Sequence, residues 1–151
     1  MSKVVLLGLN NPLSERPEMA LWPHPAGCTG HRIWRMINLR MPCSPEEYKV
    51  GFDRMNILNS REWIPREARL AAPEIWESLR GRTVIILGRE GADVLGLDYP
   101  DWVLESEQDG VRFRVLPHPS GLNRWYNDHI NLNLAAVLLE EMYLVSLGLV
   151  G

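Results

Sequence analysis

Residues 83–95 read TVIILGREGADVL, and this segment identifies the fold class. Its first five residues, Thr83 to Leu87, are β-branched or aliphatic, which is typical of a buried β-strand. A turn containing Gly88 and Gly91 follows, and the residues after it predict a helix. A strand, a glycine turn and a helix in this order indicate an α/β domain.

Two other segments predict strands of the same sheet. Residues 3–7 form a short apolar run, and residues 111–116 alternate between apolar and basic side chains. We expect a three-layer α/β/α domain with a short, mainly parallel, four-stranded sheet. In open α/β sheets ligands bind beyond the carboxyl ends of the strands, so the loops after Leu7, Leu87 and Leu116 should share one face.

Further helices are predicted from apolar periodicity and from capping signals. The clearest helix start is Ser44-Pro45-Glu46-Glu47, with serine as the N-cap, proline at the first position and glutamate at the third. Residues 12–30 are rich in proline and glycine, which predicts a long irregular loop of the kind that carries function. The predicted helices cover 30–36, 44 to about Met55, 66–79 and roughly 127–147, with the apolar stretch over 132–149 mostly buried.

The composition predicts one globular domain over residues 1–151. The chain is 46% hydrophobic and 23% charged, which is enough for a single core and excludes a disordered chain. Cys28 and Cys43 are too few for a disulfide scaffold or a four-cysteine metal site, so we expect reduced thiols, no metal and no other cofactor. No apolar run is long enough for a membrane span or a signal-peptide core, which predicts a cytoplasmic protein.

The charge balance argues against broad attraction to polyanions. The chain has 16 basic and 19 acidic residues and a net charge of −3, although a local basic groove is compatible with this balance. All the basic residues except Lys3 and Lys49 are arginines. This bias suits bidentate recognition of phosphate or carboxylate groups, and it equally fits a GC-rich genome.

Two positions at strand ends have the chemistry of a catalytic site. His118 lies between two prolines, so the backbone on both sides is restricted and the imidazole is held in place, as catalysis requires. The alternative is a structural histidine in a rigid turn. Asn10 and Asn11 follow the first strand, where an amide can position water without taking a full proton, or can form an Asx turn before the next proline.

Other residues fit the recognition of a nucleobase. Asn38 lies between apolar residues, and a buried amide would offer both the donor and the acceptor that the edge of a base requires. The alternative is a side chain that binds backbone. Trp22 and the segment Arg124-Trp125-Tyr126 offer stacking faces and a cation, which suit a base or a sugar-phosphate, although aromatic side chains also fill cores.

Several of these residues fall in four segments that occur in a defined order. The segments are GLNNP at 8–12, GCTGHRIW at 27–34, MINLRMP at 36–42 and HPSGLN at 118–123, with the strand and Leu-Gly turn TVIILG at 83–88 between them. In order and spacing they resemble the motifs of the uracil-DNA glycosylase superfamily, and the likeness spans most of the chain. The pattern is closest to the thermophile-type and mismatch-specific branches, but the cysteines of the iron-sulfur members are absent.

The resemblance implies a glycosylase that removes uracil, or a related modified pyrimidine, from DNA after flipping the base, with neither a metal nor a covalent nucleophile. It implies that Asn10 positions the attacking water, or Asn11 in its place, and that Asn38 reads the base. His118 would stabilise negative charge on the leaving base. The implied base-stacking candidates are Trp22 and His24, and the residues implied to grip phosphates or to wedge into the gap are Ser120, Gly121, Leu122, Asn123 and Arg124.

Three other functions are compatible with the sequence. The first is an N-glycosidase that acts on a free or hypermodified nucleotide. The second is a non-catalytic module that keeps the pocket and binds a nucleotide or DNA, and the third is a structural or interaction protein without base binding. The expected partner is therefore single-stranded or mismatched DNA, or a nucleotide, and not a membrane. His118→Ala would abolish turnover by an enzyme, whereas a binding module would cleave no substrate.

Overall fold

The computed structural model describes residues 2–97, 105–120 and 122–150. These ranges contain five strands and five α-helices, together with 3₁₀ turns at Pro17–Met19 and Arg124–Asn127. The strands are β1 (Val5–Gly8), β2 (Asp53–Asn56), β3 (Thr83–Leu87), β4 (Ser106–Gln108) and β5 (Val111–Leu116). The helices are α1 (Thr29–Arg40), α2 (Pro45–Gly51), α3 (Pro65–Leu79), α4 (Arg89–Leu95) and α5 (His129–Ser146).

The strands form one sheet in the order β2-β1-β3-β5-β4. β1 pairs in parallel with β2 and β3, and β3 pairs in parallel with β5, whereas β4 is antiparallel to β5. The predicted α/β class with a mainly parallel sheet is confirmed, with five strands rather than four. The four parallel strands end at the same edge of the sheet, so the loops after β1, β2, β3 and β5 lie together there.

Helices cover both faces of the sheet, as expected of three layers. Alternate side chains of a strand point to opposite faces, and neighbouring residues of β1 therefore enter different clusters. Leu6 packs in a cluster with residues of α1 and α5, among them Ile37 and Leu139. Leu7 packs on the other face with residues of α3 and α4, among them Ala68. The sheet is thus buried between two helical layers.

The helix predicted from Ser44 to about Met55 is shorter than expected. Ser44 does form the predicted capping box, in which its side chain accepts from the backbone nitrogen of Glu47 at 3.0 Å and Glu47 accepts in return at 2.9 Å. However, α2 ends at Gly51, which lies so close to the ring of Tyr143 that a Cβ would overlap it. The residues that follow pair with β1 as the edge strand β2, and this pairing replaces the expected last turn of helix.

The other helices match the predictions with shifted ends. α1 continues beyond the predicted 30–36 to Arg40, and Ile37 is the buried residue of this extension. α5 begins at His129 because Asp128 is its N-cap, accepting from the backbone nitrogen of Ile130 at 2.8 Å. The apolar stretch over 132–149 is less buried than expected. Six residues of α5 are buried, but the exposed apolar residues of this region include Leu134, Val137, Leu147 and Leu149.

None of the helices in the described ranges is long and apolar enough to cross a membrane. Within the same ranges, no three histidine, cysteine, aspartate or glutamate side chains are grouped so that they could hold a metal ion. Cys28 and Cys43 are both free thiols, the first half-buried and the second buried.

Candidate functional site

A cavity of about 490 Å³ opens at the edge of the sheet where the parallel strands end, a volume within the range of small-molecule sites. The long loop over 12–30, which the sequence predicted to be functional, forms much of its wall. The cavity brings together predicted site residues from three parts of the sequence, because its lining includes Asn10, Trp22, His24 and Ser120.

The two asparagines after β1 differ in what their amides bind. The amide nitrogen of Asn10 donates to the carbonyl of Arg61 at 2.9 Å, and its Oδ1 has no partner among the described residues. Asn11 uses both ends of its amide, since its nitrogen donates to Met19 at 3.0 Å and its Oδ1 accepts from Leu13 at 2.9 Å. Asn11 therefore forms the Asx turn, and Asn10 keeps an unpaired carbonyl oxygen at the cavity.

Trp22 lies half-buried in the cavity wall, with two cations over its ring. The Nζ of Lys49 is 4.2 Å from the ring centroid, and the Cζ of Arg54 is 5.3 Å from it. Arg54 also donates to the carbonyl of Ala20 at 2.6 Å, so β2 holds the segment that carries the ring. His24, the other stacking candidate, is exposed on the same wall and has no comparable support.

The start of α1 fits closely against the long loop. A Cβ at Gly30 would overlap the carbonyl oxygens of Leu21 and Trp22, so only glycine permits this approach. The buried hydroxyl of Tyr48 donates to the Leu21 carbonyl at 2.9 Å, and the thiol of Cys28 donates to the Trp22 carbonyl at 3.3 Å. The backbone beneath the Trp22 ring is therefore fixed from two sides.

His118 follows β5 and is half-buried beside this cavity, whose lining begins two residues later at Ser120. Burial lowers the pKa of its imidazole, and the negative charge of Glu90 opposes this only in part. The ring is consequently neutral at neutral pH, with one nitrogen that donates and one that accepts. Gly88, at φ 103°, lies against the histidine, because a Cβ there would be 3.2 Å from the Cβ of His118.

Two hydrogen bonds hold the backbone around this histidine. The hydroxyl of Tyr126 donates to the carbonyl of Pro117, and the amide nitrogen of Asn123 donates to the carbonyl of His118 at 2.9 Å. The Oδ1 of Asn123 accepts from the backbone nitrogen of Trp125 at 3.0 Å. Asn123 therefore braces the loop through both ends of its amide, and its contact with a phosphate stays a prediction.

The other residues expected to contact DNA lie on the same loop. Ser120 lines the cavity, Leu122 is 94% exposed, and Arg124 is exposed at the start of its 3₁₀ turn. Gly121 lies outside the described residues. An aliphatic side chain that stands in solvent beside a cavity has no packing role and is free to enter a base stack.

Asn38 does not lie in this site. It is exposed on α1, and its Oδ1 accepts from the backbone nitrogen of Cys43 at 3.1 Å. The prediction of a buried amide at this position is wrong, and the alternative of a side chain that binds backbone is confirmed. Because α1 continues to Arg40, its register turns position 38 toward solvent, where the amide closes the turn after the helix.

A different asparagine, Asn56, has the properties expected of Asn38. It ends β2 directly opposite Gly8, and only 5% of it is exposed. Its Oδ1 is buried and has no hydrogen-bond partner in the part of the chain that the structure describes. A Cβ at Gly8 would overlap this oxygen and lie 3.1 Å from the side chain of Leu21, which lines the cavity.

A buried amide oxygen without a partner costs about 1–3 kcal/mol of stability, which makes Asn56 a candidate functional residue. Sequence reasoning missed this residue because a helix was expected to run almost to it. The signal that could have found it is its position: a polar side chain at a strand end beside the first strand, next to the apolar pair Ile57 and Leu58.

Comparison of the chain with models of known protein families finds no match, and comparison with curated proteins finds none either. A functional assignment therefore rests on the groups at one edge of the sheet. They are the Oδ1 atoms of Asn10 and Asn56, which have no hydrogen-bond partner in the part of the chain that the structure describes, the ring of Trp22 and the neutral imidazole of His118.

Proposed function

We propose that the protein is a DNA glycosylase that hydrolyses the N-glycosidic bond of uracil, or of a related modified pyrimidine, after the nucleotide is flipped out of DNA. The observation that carries this proposal is the buried Oδ1 of Asn56, which has no hydrogen-bond partner in the described ranges. Asn56 lies at the carboxyl ends of the parallel strands, as Asn10 and His118 do. The resemblance of the segments 8–12 and 118–123 to glycosylase motifs supports the same reaction.

Base recognition is assigned to Asn56 and Trp22. The edge of uracil presents an N–H between two carbonyl oxygens, and a carboxamide offers a matching acceptor and donor. Because the Oδ1 of Asn56 has no hydrogen-bond partner among the described residues, the base would supply the hydrogen bond that they do not. The ring of Trp22 adds a stacking surface, which contributes about 1–3 kcal/mol per base.

The chemistry is assigned to His118 and Asn10. When the bond between the sugar C1′ and the base nitrogen breaks, its electron pair stays with the base and positive charge develops on the sugar. The N–H of the neutral His118 donates to a carbonyl oxygen of the leaving base, where negative charge accumulates. The Oδ1 of Asn10 orients a water that adds to C1′. The proton that this water releases passes through solvent to the base, which left with the electron pair, so the products are the neutral free base and an abasic site.

Access to a base in duplex DNA is assigned to the loop after β5. Leu122, which is 94% exposed, enters the gap that the flipped nucleotide leaves. The hydroxyl of Ser120 and the guanidinium of Arg124, which lie on the same loop, bind the flanking phosphates.

The proposal is tested with oligonucleotides that carry one uracil, single-stranded or in a mismatched duplex, followed by alkaline cleavage at abasic sites. We expect strand cleavage by the wild type and its loss in His118→Ala and Asn56→Ala. Asn38→Ala is the matched control, because it removes an exposed amide outside the site and should retain activity. Cleavage that persists in both site variants, or its absence with folded wild type on both substrates, would contradict the proposal.

A free nucleotide is the second candidate substrate, favoured by the net charge of −3 on a chain that would otherwise have to bind duplex DNA. The same base-binding and catalytic groups would act on it, but a wedge would have no role. Leu122→Ala separates the two substrates. It should reduce base release from duplex DNA if DNA is the substrate, and it should leave hydrolysis of a free nucleotide unchanged.

A further inference from the structure

A second cavity, of about 190 Å³, lies between α1, α5 and the 3₁₀ turn at Arg124–Asn127. α1 contributes Arg32 and Arg35, which lie three residues apart and therefore on the same side of the helix. Pro119 lines this cavity and Ser120 lines the first one. Two adjacent residues of the loop that carries His118 thus separate the two cavities.

Arg32 and Arg35 differ from several other arginines because neither has an acidic partner among residues 2–97, 105–120 and 122–150. No residue in the described lining of the second cavity is acidic. On a chain of net charge −3, these two guanidinium groups form a local concentration of positive charge. The arginines that do pair with carboxylates include Arg16, Arg40, Arg80 and Arg82.

The neighbouring His31 is affected by this charge. Its imidazole pKa is lowered by burial and by the positive charges of Arg35, His24 and Arg32. Its Nδ1 accepts from the backbone nitrogen of Gly27 at 3.1 Å, which suits the neutral ring. The field that disfavours a further cation on this side of α1 favours an anion there.

We propose that the second cavity is a phosphate-binding site, in which Arg32 and Arg35 hold a phosphate attached to or next to the nucleotide whose base enters the first cavity. This proposal deepens the function proposed above and rests on it for the identity of that base. A planar guanidinium matches two phosphate oxygens at once, and a pair of them can surround one phosphate. A phosphodiester of a DNA strand and the monoester of a free nucleotide present the same oxygens.

The first arm of the test measures binding of a fluorescein-labelled single-stranded oligonucleotide without uracil, by anisotropy over a range of salt concentrations. Each phosphate contact on a single strand contributes about −0.7 to the slope of log K against log salt. Because the two arginines hold one phosphate, the loss of affinity between about 50 and 200 mM salt should be about 2.6-fold smaller in Arg32→Gln/Arg35→Gln. Arg69→Gln, an exposed arginine of α3, is the matched control and should behave as wild type.

The second arm compares thymidine 5′-monophosphate with thymidine. If the site takes a free nucleotide, the double variant should bind the monophosphate about tenfold or more weakly, because it loses hydrogen bonds to a charged group. Its affinity for thymidine should be unchanged. A changed salt slope in the first arm identifies a strand phosphate, and a loss confined to the monophosphate identifies a nucleotide, so either result supports the phosphate site.

The proposal is overturned if the double variant binds both phosphate-bearing probes as tightly as wild type and with the same salt slope, or if Arg69→Gln loses as much as the double variant does. Should the double variant not fold, Arg35→Gln alone changes only an exposed side chain and should give half the change in slope.

Failure of this site is distinguishable from failure of the proposed reaction, because the binding measurements need no bond cleavage. If the wild type releases uracil and the Arg32→Gln/Arg35→Gln variant keeps the same salt slope, only the proposed phosphate site is refuted. If binding depends on Arg32 and Arg35 but the wild type releases no base, only the proposed glycosylase activity is refuted.

Discussion

Asn56→Ala should stabilise the protein and weaken base binding, because the buried Oδ1 of Asn56 has no hydrogen-bond partner among the residues that the structure describes. Its buried Oδ1 costs about 1–3 kcal/mol, and the alanine variant recovers that cost. Alanine leaves a space the size of the carboxamide at this buried position, and the cost of that space offsets part of the gain. We expect the free energy of unfolding to rise by about 1 kcal/mol, whereas truncation of a large apolar core side chain lowers it by about 2–5 kcal/mol.

Asn38→Ala is the contrasting variant. It removes the acceptor of the 3.1 Å hydrogen bond from Cys43, so the free energy of unfolding should fall by about 0.5–1.5 kcal/mol. Affinity for a uracil-containing oligonucleotide should follow the opposite order. Asn56→Ala should lose about 1–3 kcal/mol of base discrimination, which is about a 5- to 160-fold weaker preference for uracil over a normal base, and Asn38→Ala should lose none.

The assay combines urea unfolding, followed by circular dichroism, with oligonucleotide binding by anisotropy for both variants. A fall of about 2 kcal/mol or more in the unfolding free energy of Asn56→Ala, together with unchanged uracil preference, would refute the reasoning. That result would mean that the carboxamide is a structural group in the native protein.

Three further predictions concern the groups around the site. Gly88→Ala should lower the rate of base release by about tenfold or more without unfolding the protein. Alanine is strained at φ 103°, and its Cβ would lie 3.2 Å from the Cβ of His118 and displace that side chain. Wild-type kinetics in a folded variant would contradict that contact. Arg54→Met should lower the free energy of unfolding by about 1–3 kcal/mol, since it leaves the carbonyl of Ala20 without its charged hydrogen-bond donor. Urea unfolding measures this change, and an unchanged midpoint concentration of urea would show that the hydrogen bond contributes nothing to stability. As pH falls below 6.5, the free energy of unfolding should fall more for wild type than for His118→Gln. Burial lowers the pKa of His118 in the folded protein, so the unfolded chain binds the proton at a higher pH. The pKa of His31 is lowered in both proteins, so coincident curves of stability against pH would contradict a buried neutral His118.

The central strands could be predicted from the sequence because their burial is visible in the order of apolar and polar residues along each strand. β1 and β3 are covered on both faces and therefore read as continuous apolar runs, as in residues 83–87. β5 alternates at first because Val111 and Phe113 point to a buried face of the sheet, whereas Arg112 between them is exposed. These patterns do not depend on knowing which other segment each strand contacts.

β2 could not be predicted in the same way. Its residues Asp53–Asn56 lie at the edge of the sheet, and only the last of them is buried. With no apolar alternation, the segment becomes a strand through hydrogen bonds to β1, about 50 residues away in sequence, and local pattern carries no information about such a partner. The well-marked start of α2 at Ser44 favoured a longer helix instead.

The site residues that follow parallel strands could be predicted from the sequence. The residues whose burial depends on the rotation of a helix or on the pairing of a strand could not. Asn10 and His118 follow strands whose carboxyl ends must share an edge if the sheet is parallel, so the sequence places both. Asn38 and Asn56 each lie beside apolar residues, and their neighbours do not say which amide is buried. The rotation of α1 exposes the first, and the pairing of Asn56 with Gly8 buries the second.

The most direct test of the proposed function is to measure free uracil, by chromatography with mass detection, after incubation of the protein with a uracil-containing single strand in water enriched in heavy oxygen. We predict that wild type releases uracil and leaves an abasic sugar that carries the heavy oxygen at C1′, and that His118→Ala does neither while Asn38→Ala does both. Uracil release at the same rate from His118→Ala, or none from folded wild type, would contradict hydrolysis at this site.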